Sequence, residues 1–211
     1  MKRLLDEGLE KLTNMILDMA SISSKVVEMA IEGYVNGRDV SKEVFQTSNQ
    51  LRILEDEVAE LSMELIARYQ PVASDLRYIR SCMEIAYGFF RYGRYAYDIS
   101  QVLSMFGDLS ECNKEIVQKT GKKVCEMIQI SVTAFKNKDV ELAKKLELMD
   151  DEVDKAYIGF VKQAIGNPTS GKKCDMATTL ILRYLERIAD HATYIGESVE
   201  YIVTSERYRK R

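Results

Sequence analysis

Arg183-Tyr184-Leu185-Glu186-Arg187-Ile188-Ala189-Asp190-His191-Ala192-Thr193-Tyr194-Ile195-Gly196-Glu197 is the stretch from which the fold is read. Leu185, Ile188, Ala192, Ile195 and Val199 recur at helical spacing, so the segment predicts an amphipathic helix. Its Arg187, Ala192 and Ile195 repeat Arg91, Ala96 and Ile99 earlier in the chain. The repeat continues outward. Lys25-Val26-Val27-Glu28-Met29 returns as Lys123-Val124-Cys125-Glu126-Met127, Asp39-Val40 as Asp139-Val140, and Asp56-Glu57-Val58 as Asp151-Glu152-Val153. An ordered set of matches at nearly constant offset marks a duplicated unit. The expected fold is all-α: six long helices in two tandem, repeat-related three-helix bundles, spanning 1–108 and 109–211.

The helices follow from apolar periodicity and breakers. The first runs from about Arg3 to Asn36, where Asn36-Gly37 ends it. Asp39 or Ser41 caps the second, which reaches about Tyr69 before Gln70-Pro71. Pro71 suits the first turn of the third helix, which continues to Phe106-Gly107. The fourth is expected from about Ser110 to Asn137 and the fifth from near Asp139 to just before Gly166-Asn167-Pro168. The sixth begins between Ser170 and Asp175 and ends near Glu206. Arg207-Tyr208-Arg209-Lys210-Arg211 forms a basic tail, read as a solvated end that complements a helix C-terminus.

Composition excludes several classes. The 211 residues are 46% hydrophobic and 30% charged, which is globular and not disordered. A net charge of −3 provides no basic field for nucleic acid. No apolar run nears the ~20 residues needed to span a bilayer, and Met1 to Glu7 turns acidic before a signal-like core develops. A cytoplasmic protein is expected, peripheral to the membrane only through partners. Cys82, Cys112, Cys125 and Cys174 show no CxxC spacing and are expected to be reduced, packed thiols. One histidine, His191, excludes sites that need two imidazoles.

Glu186 and Asp190 are four residues apart and share one helix face. Like charges so placed repel by roughly 0.2–0.5 kcal/mol unless a cation intervenes. Asp150 and Asp154 form a second such pair one helix earlier. Two pairs on facing helices offer only oxygen ligands, which suits Mg²⁺, Ca²⁺, Mn²⁺ or iron. Glu152, Glu197 and Tyr194 are placed to assist. The competing reading is plain ion pairing along the helix, Arg183 with Glu186 and Arg187 with Asp190. In the first unit the matching positions are Glu55 with Ala59 and Phe90 with Arg94, so only Glu55 keeps a carboxylate. Arg94 is then expected to stand in for the metal and pair with Glu55. His191 points about 100° from Asp190 and reads as a surface or supporting residue. Tyr87, Phe89, Phe90, Tyr92, Tyr95 and Tyr97 are too dense to face one way, so some rings must reach solvent or a partner.

Three features, in this order, resemble the PhoU family: Gln70-Pro71-Val72-Ala73-Ser74-Asp75-Leu76-Arg77, the Asp150 to Asp154 pair, and Leu185-Glu186-Arg187-Ile188-Ala189-Asp190-His191-Ala192. The resemblance covers nearly the whole chain. It implies two tandem three-helix bundles and multinuclear metal clusters, iron or zinc, on the acidic pairs: here Asp150, Asp154, Glu186 and Asp190. It also implies a cytoplasmic homodimer that dampens phosphate uptake and phosphate-starvation signalling by contacting the phosphate transporter's ATPase subunit and a sensor histidine kinase. The family pattern has a metal pair in both bundles and often Asn where Tyr194 stands; Ala59, Phe90 and Arg94 depart from it. Two other readings remain at this point. One is a metal-dependent phosphohydrolase or iron oxidase, against which stand the missing glycine loop and nucleophile–base pair. The other is a metal-free bundle serving a different transporter.

Overall fold

The computed structural model describes residues 3–166 and 171–206, which form six helices: α1 (Leu4–Asn36), α2 (Ser41–Tyr69), α3 (Ala73–Phe106), α4 (Glu115–Asn137), α5 (Val140–Gly166) and α6 (Lys172–Thr204). The fold is all-α, with no strand among the described residues. The basic tail and the Asn167-Pro168 break lie outside them.

Each unit is a three-helix bundle, α1–α3 and α4–α6, in which every helix packs on the other two. The largest helix–helix interface, however, joins α3 to α6, and α1 also packs on α4. One continuous apolar core therefore runs through both units, from Leu12 and Ile16 through Phe89 and Tyr92 to Leu185 and Val199. The α1–α4 approach depends on Gly121, where a Cβ would lie 2.9 Å from Ile31.

Local chemistry explains where the helix ends depart from expectation. α4 begins at Glu115 and not near Ser110, because side chains in the preceding loop hold turns of their own. Asp108 accepts from the Ser110 N–H and Asn113 from the Glu115 N–H, each at 2.9 Å. Pro71 lies ahead of α3 and not in its first turn: Gln70 closes α2 in the left-handed region and the chain stays extended at Val72. The N-cap of α2 is Val40, without a side-chain cap, and not Asp39 or Ser41 as expected; Asp39 accepts from the Ser41 N–H one residue ahead of the cap.

The cysteine expectation needs correction. Cys112, in the loop before α4, and Cys174, in the first turn of α6, form a disulfide. They carry no motif spacing, so only the close approach of loop and helix start brings their sulfurs together. Cys82 and Cys125 are free, as expected.

Candidate metal centre

α5 and α6 pack against each other along a seam, across which Asp154 acts electrostatically on Glu186 and Asp190. Asp150 and Glu186 are buried, which is rare for carboxylates unless their charge is offset. Asp154 and Asp190 are half-buried. Burial pushes the Glu186 carboxyl above its usual range, and Asp190 and, more weakly, Asp154 push it further, against Arg183 and Arg187. Burial likewise raises Asp190; Arg187 opposes and Asp154 adds to the rise. Tyr194 is raised by burial first, then by Asp190, Glu197 and Asp150. These groups therefore share one negative field.

Arginine supplies positive charge to it. Arg183 Nη1 lies 2.5 Å from Glu186 Oε1, and Arg187 Nη1 3.4 Å from Asp190 Oδ2. The intrahelical ion pairs read from spacing are thus formed. Yet Glu186 Oε2 is buried with no hydrogen-bond partner, and the nearest cationic nitrogen, Arg187 Nε, is 3.9 Å away. As they stand, no three His, Cys, Asp or Glu side chains among the described residues group as a metal site. The donor set still fits a hard or borderline cation: four carboxylates on one seam, two of them buried, with an orphaned oxygen on Glu186 and with the Glu186 and Asp190 carboxyls raised first by burial.

Two of the supporting residues behave differently from expectation. Glu152 is exposed and pairs with Lys123 of α4, so it turns away from the seam. Residues two apart on a helix face about 200° apart, which separates it from Asp150 and Asp154. His191 is not a surface residue. Its ring lies 5.6 Å from Tyr194, 5.9 Å from Tyr95 and 6.1 Å from Tyr87, and burial, with Arg91 and Arg187 nearby, holds its pKa down to about 4. It packs as a neutral ring between α3 and α6.

The first unit is different at every matching position. Glu55 is half-buried, and burial, then Asp56, raises its carboxyl. Phe90 packs 6.2 Å from the Tyr87 ring. Arg94 is exposed and does not meet Glu55; no ion pair joins them among the described residues. It acts instead on Asp98 one turn on, helping Arg91 to oppose the rise that burial causes there. A partner four residues along the same helix is reached more easily than one on α2. Of the aromatic run, Phe89 and Tyr92 are fully buried while Tyr87 is half exposed, so the rings divide between core and surface as their density requires.

The fold and seam define a class: tandem three-helix bundles with a carboxylate seam in one unit. A family model described as the PhoU domain matches residues 16–103 and again 117–199. The chain therefore belongs to the PhoU family. It is 26% identical to a phosphate-specific transport system accessory protein PhoU homolog of Clostridium acetobutylicum, over 98% of this chain and 97% of that one. The Archaeoglobus fulgidus homolog of the same description is 27% identical over 90% of this chain and 89% of its own. Among solved structures, PhoU from Pseudomonas aeruginosa superposes with a TM-score of 0.86 at 28% identity, covering 95% of this chain and 99% of that one. The phosphate transport system regulatory protein PhoU of Streptococcus pneumoniae, 20% identical, shares the fold with a TM-score of 0.89, covering 98% of this chain and 100% of that one.

Proposed function

We propose that this chain is a non-enzymatic regulator of phosphate uptake and phosphate-starvation signalling. The observation that carries the reading is the near full-length match to proteins described as accessory to phosphate-specific transport. In this reading it works in the cytoplasm as a homodimer and binds a transporter ATPase subunit, a sensor histidine kinase or both. No helix among the described residues is long and apolar enough to cross a membrane, which is consistent with acting through partners at the membrane.

The second unit, 109–211, holds a metal cluster on Asp150, Asp154, Glu186 and Asp190, with iron or zinc first and Mg, Mn or Ca after. The orphaned Glu186 oxygen and the raised carboxyls support this. When bound, the metal neutralises the seam and pins α5 to α6; Arg183 and Arg187 yield part of their pairing to it. The first unit, 1–108, holds none.

The test is made in cells. Removing the gene should leave phosphate uptake and starvation-gene expression high in phosphate-rich medium, and the intact chain should restore both. Unchanged uptake and expression would overturn the reading. Turnover of a phosphomonoester or of ferrous iron by the purified, metal-loaded chain would favour an enzyme instead.

A further inference from the structure

A groove of about 550 Å³ lies between α2, α3 and α6, beside the seam and bordering it at Tyr194. Three carboxylates, Glu55, Glu84 and Glu197, and three tyrosines, Tyr87, Tyr194 and Tyr201, line it. Among the described residues no Lys or Arg lines its walls, and Arg80 reaches it only at the edge, through Glu84 and Tyr201. The surface is therefore anionic and aromatic together. Such walls recognise cations twice: by charge, and by the negative face of the ring.

Two further observations point the same way. First, the chain already places one guanidinium here. Arg80 lies 5.9 Å from the centre of the Tyr201 ring and pairs with Glu84 at 3.3 Å. Second, Tyr87 and Tyr194 are 47% and 53% exposed, a large aromatic area left to water. Aromatic residues of this kind are enriched where proteins meet.

The duplication shows that the groove is particular to one side. Counting by the interval from Arg91 to Arg187, Gly88 of the groove corresponds to Tyr184, Glu84 to Leu180 and Glu197 to Gln101. Gly88 leaves its wall without a side chain, and a Cβ there would already lie 3.2 Å from Ile195. The matching α6 positions carry Tyr184 in place of the gap and Leu180 in place of Glu84, and the α3 position that matches Glu197 carries Gln101. Along α6 the groove extends from His191 to Tyr201, about 15 Å at helical rise. That accommodates four or five residues of extended chain at ~3.3 Å each, and is long for a single small cation.

We propose that this groove docks an extended, arginine- or lysine-bearing segment of a partner protein, with the carboxylates pairing the cationic heads and the tyrosine rings covering their stems. The inference gives the partner contact of the regulatory reading its chemistry and rests on that reading. Its failure is distinguishable, because the assay uses the purified full-length chain and no transporter or kinase.

The probe is a fluorescein-labelled decapeptide with three arginines spaced by glycine and serine, with a citrulline version as control. Anisotropy should show saturable binding of the arginine peptide and about tenfold weaker binding of the citrulline one. Glu55→Gln with Glu197→Gln should weaken binding about tenfold, and Tyr194→Ala about fivefold. Glu43→Gln with Glu111→Gln, outside the groove, should leave it unchanged. Circular dichroism melts confirm that each variant is folded, and Tyr194→Phe should retain most of the binding through its ring. Binding that is indifferent to the groove variants, or equal for citrulline, overturns the proposal. Binding that appears only after removal of 207–211 assigns the groove to the chain's own basic tail and overturns a partner as occupant.

Discussion

The two halves of this chain share a backbone plan and differ in how each handles charge at the same place. In the second unit, two acidic pairs face each other across α5 and α6, with Asp150 and Glu186 buried, and Arg183 and Arg187 pair with the two of α6. In the first, one carboxylate remains. Glu55 faces the groove, Phe90 packs on Tyr87, and Arg94 serves Asp98 on its own helix. Duplication frees one copy of a site from its original constraint. Here one copy keeps two acidic pairs on packed helices, while the remaining carboxylate of the other lines an aromatic and anionic groove that α6 of the second unit completes.

The largest expected contrast is in metal. Asp190→Ala should bring the metal content of chelator-free protein to background, whereas Arg94→Ala should not change it; elemental analysis of both variants measures this. Rebuilding the lost pair by Ala59→Asp, Phe90→Glu and Arg94→Asp together should raise the metal content toward twice that of the parent. Equal loss on Asp190→Ala and Arg94→Ala would dissolve the contrast between the units.

Next in size is the tie between loop and helix. Cys112–Cys174 closes a separation of 62 residues in the second unit, and its loss by Cys112→Ser should cost about 2–4 kcal/mol in denaturant melts. Tyr78 precedes Cys174 by the interval that separates Arg91 from Arg187, and there the first unit has a Thr13–Tyr78 hydrogen bond of 2.6 Å. Thr13→Val should cost only about 1 kcal/mol.

Smaller still is the effect of one charge on the metal-free protein. Glu186 sits where its ionised form is disfavoured, so its folded pKa lies above the unfolded one and its contribution is lost as pH rises. Glu186→Gln should therefore stabilise the chelated protein at neutral pH by about 1 kcal/mol, or ~2–4 °C, while weakening the metal-loaded form. Glu55→Gln, under less mutual repulsion, should do less.

The smallest is a slope. His191, the sole histidine, is held down to about 4 from an ordinary 6.5. The unfolded chain thus binds a proton that the folded one refuses, and stability should fall as pH drops from about 6.5 to 4. His191→Phe should flatten that part of the profile, measured by melts at stepped pH.

Much of this was legible in the residues. The repeat of Arg91, Ala96 and Ile99 in Arg187, Ala192 and Ile195, with apolar spacing throughout, was enough for six helices in two units, because helix period and duplication are local properties of a chain. The spacing of Glu186 and Asp190 likewise put both carboxylates on one face. Residues whose partners lie far off in sequence were not legible. Arg94 was expected to reach Glu55 on another helix, and only packing showed that it does not and acts on Asp98 of its own helix instead. Cys112 and Cys174 meet because a loop crosses a helix start, and no spacing encodes that crossing. His191 looked superficial until α3 laid Tyr87 and Tyr95 against it. Periodicity determined which face of each helix is apolar. Packing between helices decided which polar groups lose water: the α5–α6 contact sets which carboxylates repel, and the α3–α6 contact keeps His191 neutral and leaves the groove beside it.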